Sequence, residues 1–226
     1  SSAEQVMSVN VDYFCPSAYP VMIDPSLRYA WIDIPKCASS FIQKVLYDNN
    51  WTSTHDPVLM DGIKRAESVE KIVVLRDPVE RWISGFSECW HSTPSILNLL
   101  DQPTFWKTIY ANPVFDDHTE HQHRFVRNAV NIKYIYMTAG TANADRFHKN
   151  LATWIRAAGY SANFDNWTEP TNPKTNHDIK LQINTKLHTM FKDYPDLMKN
   201  LINVHRKDYG LFETLKKYKA KHDSTN

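Results

Sequence analysis

Short apolar segments that lead into amphipathic helical patterns are the feature that most restricts the fold of this chain. Three of them, bounded by residues that break regular structure, predict buried strands at Tyr29–Ile34, Lys71–Leu75 and Lys133–Met137. The amphipathic patterns that alternate with these segments along the chain predict helices at Ser40–Asp48, Val79–Trp90 and Ala144–Ala158, and Gly159 ends the last of them. Repeated alternation of strand and helix predicts an α/β fold with a central parallel sheet flanked by helices.

The chain gives no sign of an internal boundary. It has no internal repeat and no linker rich in Pro, Gly or Ser, so we expect a single domain over residues 1–226. Its composition, 42% hydrophobic and 23% charged, is that of a globular protein, and 226 residues bury enough surface to fold without disulfide or metal. Ligands of open α/β sheets bind beyond the carboxyl ends of the strands, so the strand-to-helix junctions are the places to look for a site.

Glycine is scarce in this chain. There are five glycines, and no two lie closer than nineteen positions. This spacing excludes the dinucleotide fingerprint G-x-G-x-x-G, the Walker loop G-x-x-x-x-G-K and the hydrolase elbow G-x-S-x-G. A phosphate-binding loop here must therefore be built from other residues.

The net charge and the cysteine content argue against further classes of protein. The net charge of +1, from 26 basic and 25 acidic residues, provides no global field for nucleic acid or an anionic membrane. Three cysteines without metal-ligand spacing argue against a disulfide framework and for a reduced compartment. No apolar run approaches 18 residues and no signal-peptide pattern is present, so we expect neither a transmembrane segment nor export.

The first junction combines features of an anion site. A strand runs into Pro35 and Lys36, two small residues and the hydroxyls of Ser39 and Ser40, and an amphipathic helix then begins. Backbone N–H groups at a helix N-terminus, hydroxyls and a lysine together suit a phosphate or sulfate. The alternative is that Ser39 or Ser40 only caps the helix while Lys36 is solvated.

The second junction offers an arginine and a hydroxyl. Arg76 leaves the strand, Pro78 lies where a first helical turn is preorganised, and Ser84 follows two turns down the helix. An arginine fork and a serine hydroxyl can hold one phosphate together. The alternative is a simple Arg-Asp-Pro turn with Ser84 packed against its neighbours.

At both junctions the chain resembles the sulfotransferase superfamily. The sequence P-K-C-A-S-S-F at residues 35–41 is similar to the 5′-phosphosulfate loop of that superfamily, and R-D-P-x-x-R-x-x-S-x-F at residues 76–86 is similar to its 3′-phosphate segment. Residues 116–122 and 207–212 are similar to motifs of the carbohydrate-type branch, D-x-H-x-x-x-Q and the terminal D-Y-x-L-F. The resemblance consists of separate short segments that lie between about residues 29 and 213. Ala38 replaces the usual glycine, and Phe41 the usual tryptophan near the adenine.

The resemblance implies a fold like that of P-loop kinases, and the donor 3′-phosphoadenosine 5′-phosphosulfate with its product 3′-phosphoadenosine 5′-phosphate. Lys36 would act in catalysis, and Ser39, Ser40 and the backbone amides would hold the donor's 5′-phosphate. The residues of this loop that would bind the donor are Lys36, Cys37, Ala38, Ser39, Ser40 and Phe41. Arg76 and Ser84 would hold the 3′-phosphate. Transfer in this family uses no metal, which agrees with the missing Walker loop.

His118 is the candidate catalytic base. A neutral imidazole accepts a proton near pH 7, and Asp116 or Asp117 could orient it. The spacing H-x-x-H-x-H, with His121 and His123, could instead bind zinc, although neither a cysteine nor H-E-x-x-H supports this. A purely structural histidine is the third alternative.

We therefore expect a sulfotransferase that acts on a hydroxylated acceptor, a glycan or small molecule, and that binds no nucleic acid. The alternatives are a catalytically silent nucleotide- or glycan-binding module of the same fold, and a metal-dependent kinase. The cysteine content favours the cytoplasm, and a trimmed catalytic domain from the Golgi lumen is the alternative location. Three aromatic residues could line a sugar pocket or the core equally well: Trp90, Phe105 and Trp106.

Overall fold

The computed structural model describes residues 19–137, 141–164 and 168–213 of the 226, and of residues 141–145 it describes the backbone alone. Chain contacts divide the protein into two compact units. Within the described residues, the first unit holds residues 19–77 and 122–170 and contains the sheet. The second holds residues 78–121 and 171–213 and is helical. The single domain over residues 1–226 stays a prediction.

Among the described residues, the sheet of the first unit has five strands. They are β1 (Val21–Ile23), β2 (Tyr29–Ile32), β3 (Thr52–Thr54), β4 (Glu70–Arg76) and β5 (Ile132–Met137). Their order is β3-β1-β2-β4-β5. β2, β4 and β5 are parallel neighbours, which confirms the predicted parallel core. β1 runs antiparallel to both β2 and β3, so the sheet as a whole is mixed.

The helices of the first unit are α1 (Ser39–Asp48), α2 (Pro57–Arg65), α6 (Gln122–Phe125) and α7 (Thr141–Ala157). Those of the second are α3 (Pro78–Trp90), α4 (Ile96–Leu99), α5 (Pro103–Ala111), α8 (His177–Asp193) and α9 (Pro195–Val204). A further helical stretch covers residues 206–213. The predicted end of α7 is confirmed, because Gly159 follows it with a φ of 91° that suits glycine.

Each unit has its own core. In the first, β4 is buried from Lys71 to Leu75 and half-buried at its two ends, and α7 lies against the strands through Trp154, whose Nε1 donates to Glu70 at 3.1 Å. In the second, the apolar face of α3 carries Trp82 and Phe86, both almost fully buried. Phe105 and Trp106 belong to the same core, so they pack there and do not line a sugar pocket. Trp90 is half-buried against it.

No helix among the described residues is long and apolar enough to cross a membrane.

A buried carboxylate fixes the connection from β1 to β2. Asp24 is 1% exposed, and it accepts hydrogen bonds from the backbone N–H groups of Arg28 and Tyr29, at 2.9 Å each, and from the hydroxyls of Ser26 and Tyr160. Burial by itself favours the neutral form, but these hydrogen bonds outweigh it and hold the pKa of Asp24 below its usual value. The ionised form therefore stabilises the fold above about pH 4, and this contribution is lost as the pH falls.

We expect Asp24→Asn to lower the free energy of unfolding at pH 7 by about 1–3 kcal/mol, because buried donors lose a charged acceptor. Urea unfolding at pH 7 and at about pH 3.5 measures the difference, which should shrink at the lower pH. Asp48→Asn is the control, since that carboxylate is 66% exposed and its pair with Lys44 contributes little. Equal losses at both pH values would contradict this role of the Asp24 charge.

Candidate active site

The loop from β2 to α1 has a backbone that glycine would normally supply. Lys36 and Ala38 both have positive φ, 66° and 62°, whereas Cys37 between them does not. Alternation in the sign of φ turns successive N–H groups towards one point and forms an anion-binding concavity. The left-handed conformation costs an L-residue about 1–2 kcal/mol. The loop adopts this conformation at Lys36 and Ala38 in spite of that cost, with no glycine at either position.

The N-terminus of α1 is open. Its N-cap is Ala38, and no side chain among the described residues caps this end. The interpretation of Ser39 or Ser40 as a cap is therefore wrong: both are already helical, and Ser39 Oγ donates to Asp33 Oδ1 at 2.5 Å or to the Ile34 carbonyl at 3.1 Å. First-turn N–H groups have no acceptor within their own helix, so this end of α1 can receive an anion.

We expect Ala38→Gly to stabilise the protein by about 1 kcal/mol, because it relieves the left-handed strain at a modest cost in unfolded-chain entropy. Ala38→Val is the matched control, and we expect it to destabilise, since a β-branched residue is poorly tolerated at positive φ. Thermal or urea unfolding of the two variants measures both effects. If Val at this position were as stable as Gly, the assigned backbone conformation would be wrong.

Arg76 lies at the carboxyl end of β4 and holds the loop directly. Its Nη1 donates to the Lys36 carbonyl at 3.1 Å. β2 and β4 are parallel neighbours, so their carboxyl ends share one edge of the sheet, as the two junctions predicted. A guanidinium has five N–H donors, and this bond uses one of them. Arg76 can therefore position the loop and still offer donors to an anion.

Gln122 joins Arg76 to the loop, a role that sequence reasoning missed. Its Nε2 donates to the Arg76 carbonyl at 2.8 Å, and its Oε1 accepts from the Arg76 N–H at 3.1 Å. The same Oε1 accepts a weak hydrogen bond from Cys37 Sγ at 3.7 Å. The side chain is 2% exposed. The signal in the sequence was the final Q of D-x-H-x-x-x-Q, but nothing in that spacing indicates its partners.

The remaining loop residues differ in exposure. Cys37 is buried, which agrees with its interpretation as a small loop residue, and Ser40 is exposed. Phe41 is 3% exposed and packs against His148 and Phe164, with ring centroids 4.7 and 4.8 Å away. Phe41 thus anchors α1 in the first unit, and its expected contact with an adenine stays a prediction.

In the second unit, α3 fixes the segment that carries His118. Arg81 is 3% exposed, and its guanidinium donates to the carbonyls of Glu120 and, at 3.3 Å, Asp117. Four residues further along, a Cβ on Gly85 would lie 2.1 Å from the His118 carbonyl oxygen. Glycine is therefore required for close approach of this backbone to α3. Ser84 lies half-buried on the same helix.

We expect Gly85→Ala to lower the free energy of unfolding by about 1–3 kcal/mol, because the neighbour of the added methyl is rigid backbone. Gly62→Ala in α2 is the matched control, since nothing lies within 4 Å of a Cβ there and alanine is favoured in a helix. Chemical denaturation of both variants measures the difference. A Gly85 variant as stable as the Gly62 variant would contradict the close approach.

Hydrogen bonds within the segment itself orient His118. Its Nδ1 lies 3.0 Å from Asp116 Oδ2 and 3.3 Å from Asp117 Oδ1, and its N–H donates to Asp116 Oδ1 at 2.8 Å. Thr119, 1% exposed, accepts the Phe115 N–H at 2.7 Å. The sequence predicted that Asp116 or Asp117 orients His118, and in the structure both carboxylates lie within 3.3 Å of its Nδ1.

The charges around His118 differ in their environments. Burial acts to raise the pKa of Asp116, but hydrogen bonds from His118 and Cys89 outweigh it and hold this pKa below its usual value. Burial raises the pKa of Asp117. The charge of Asp116 raises this pKa further, and His118 lowers it in part. Burial and Asp116 also raise the pKa of the Cys89 thiol, which therefore stays protonated and donates to Asp116. Asp116 is the carboxylate that keeps a negative charge beside the imidazole.

The comparisons with known proteins assign the family. A model described as "Sulfotransferase family" matches residues 19–218, most of the chain. Neither the search of curated proteins nor that of solved structures gave a match. The matched range includes both junctions, Gln122 and the His118 segment. On this basis the chain belongs to the sulfotransferase family.

Proposed function

We propose that this protein transfers a sulfuryl group from 3′-phosphoadenosine 5′-phosphosulfate to a hydroxyl group of a carbohydrate acceptor. The observation that most supports the donor is the uncapped N-terminus of α1, reached through a loop of alternating φ whose Lys36 carbonyl is held by Arg76. When bound, the donor supplies the sulfuryl group: the bond between its sulfur and the oxygen that bridges to the 5′-phosphate breaks, and a bond between sulfur and the acceptor oxygen forms.

In this proposal the loop residues hold and neutralise the donor's 5′ end. Lys36 offsets the negative charge that develops on the departing phosphate oxygen, and Cys37 and Ala38 contribute backbone shape. Ser40 offers its hydroxyl together with a first-turn N–H. Ser39 offers its N–H, because its hydroxyl is engaged by Asp33.

Arg76 and Ser84 bind the 3′-phosphate in this proposal. A guanidinium recognises phosphate through two parallel N–H bonds, and a serine hydroxyl adds a third donor. Gln122 acts through Arg76, by fixing the backbone on both sides of that residue. It is a positioning residue and makes no contact with the reacting atoms.

His118 takes the proton from the acceptor hydroxyl. A neutral imidazole that donates from Nδ1 to Asp116 carries its lone pair on Nε2, so Nε2 is the basic atom. The Asp116 carboxylate fixes this tautomer and stabilises the imidazolium once the proton has moved. Arg81 and Gly85 position the His118 backbone from α3.

A screen of hydroxylated acceptors, glycans included, with donor labelled in the sulfate group tests class and acceptor together. We expect label to appear in a glycan. Calorimetry with 3′-phosphoadenosine 5′-phosphate runs in parallel, because nucleotide binding without transfer to any acceptor would favour the silent binding module. Consumption of ATP that depends on magnesium would instead favour the kinase alternative.

A further inference from the structure

Three side chains with metal-binding atoms lie close together in the second unit, and one of them, Cys89, is on α3. Cys89 Sγ lies 3.0 Å from Asp116 Oδ1, and His118 Nδ1 lies 3.0 Å from Asp116 Oδ2 and 3.3 Å from Asp117 Oδ1. Donor atoms of Cys89, Asp116 and His118 all lie within 4.8 Å of one another. Thiolate, imidazole and carboxylate are the three ligand types that zinc uses in proteins.

The ligand atoms are close to the spacing that one ion requires. Tetrahedral ligands at about 2.0–2.3 Å from zinc lie about 3.3–3.7 Å from each other. The two contacts of 3.0 Å, which involve different oxygens of Asp116, would therefore lengthen, and the three donor atoms, within 4.8 Å of one another, would turn towards the ion. Sulfur also distinguishes this set from a cluster of carboxylates, which would favour Mg²⁺ or Ca²⁺ instead. The set differs from the H-x-x-H-x-H alternative, in which His121 and His123 would be the partners of His118.

We propose that Cys89, Asp116 and His118, with water as the fourth ligand, form an exchangeable zinc site that inhibits the enzyme. Zinc would replace the Cys89 thiol proton, which passes to solvent. The ligands are satisfied without the ion, because they hydrogen-bond to one another. The side chains of Asp116 and His118 are also 42% and 28% exposed, so the ion can enter and leave.

The inhibitory effect rests on the proposed function and follows from the histidine tautomer. With zinc on Nδ1, the proton of the neutral ring sits on Nε2, which then has no lone pair for the acceptor hydroxyl. Zinc would also remove Asp116 as the hydrogen-bond partner of the imidazole. The ion thus prevents His118 from accepting a proton without displacing the donor nucleotide.

Titration of the purified full chain with Co²⁺ and Zn²⁺ tests the site by a readout independent of activity. We expect one equivalent of Co²⁺ to give a thiolate-to-cobalt absorption band that Zn²⁺ abolishes. Cys89→Ser should lose the band and weaken zinc binding at least about tenfold, since serine still donates to Asp116 but is a poor zinc ligand. Cys15→Ser is the matched control and should keep the band. An unchanged band in Cys89→Ser would overturn the proposal.

Measurement of sulfuryl transfer in the presence of zinc is the second test of this site. Zinc should inhibit the wild type and the Cys15→Ser variant, whereas Cys89→Ser should keep its basal transfer and resist inhibition. Equal inhibition of all three proteins would overturn the inhibitory role. If zinc binds through Cys89 but no preparation ever transfers sulfate, the metal site stands and the proposed function fails, so the two failures are distinguishable.

Discussion

His118→Gln is expected to lower the rate of sulfuryl transfer about 10²–10⁴-fold, the usual contribution of a general base. Glutamine keeps a polar side chain of similar reach but accepts no proton at neutral pH. The loss should fall on kcat, because His118 is assigned to proton transfer and not to donor binding. Calorimetric affinity for 3′-phosphoadenosine 5′-phosphate should therefore stay close to that of the wild type.

The control for this variant is His188→Gln on α8. That imidazole is exposed and pairs with Glu80, at 3.1 Å from its Oε2, so its removal should leave the transfer rate unchanged. Asp116→Asn supplies a graded comparison, since it keeps the shape of the partner but loses the charge that stabilises the imidazolium. We expect an intermediate rate. Full activity of His118→Gln would assign the base to another residue.

Lys36→Met is expected to lower transfer about 10²–10³-fold, the typical effect of removing one group that stabilises charge in the transition state. Methionine preserves much of the length and the apolar stem, so the loop should keep its fold. The Lys36 carbonyl still accepts from Arg76 in this variant, because that bond involves the backbone. The expected loss thus reports the ammonium charge and not the loop geometry.

Local sequence patterns predicted much of the first unit. The apolar run from Lys71 to Leu75 is flanked by charged residues and becomes a strand buried along its length, because burial on both faces needs such a run. Gly159 ended α7 as expected, since glycine adopts positive φ without cost. The three-residue strands β1 and β3 were missed, because three residues are too few to show a period.

The parts of the site that sequence did not predict depend on contacts between distant residues. The bonds of Gln122 to Arg76 join residues 46 positions apart, and the approach of the His118 carbonyl to Gly85 joins residues 33 positions apart. Neither glutamine nor a single helical glycine carries a local signal for such a partner. The left-handed conformation of Ala38 is a third case, because alanine alone predicts no positive φ.

Transfer of labelled sulfate by the wild type, Lys36→Met and Lys44→Met is the decisive comparison for the proposed sulfuryl transfer. Lys44 is an exposed lysine on α1 that pairs with Asp48, so its replacement controls for loss of one positive charge near the loop. We expect labelled acceptor with the wild type and with Lys44→Met, and a rate about 10²–10³-fold lower with Lys36→Met. Equal rates for Lys36→Met and the wild type would contradict this proposal.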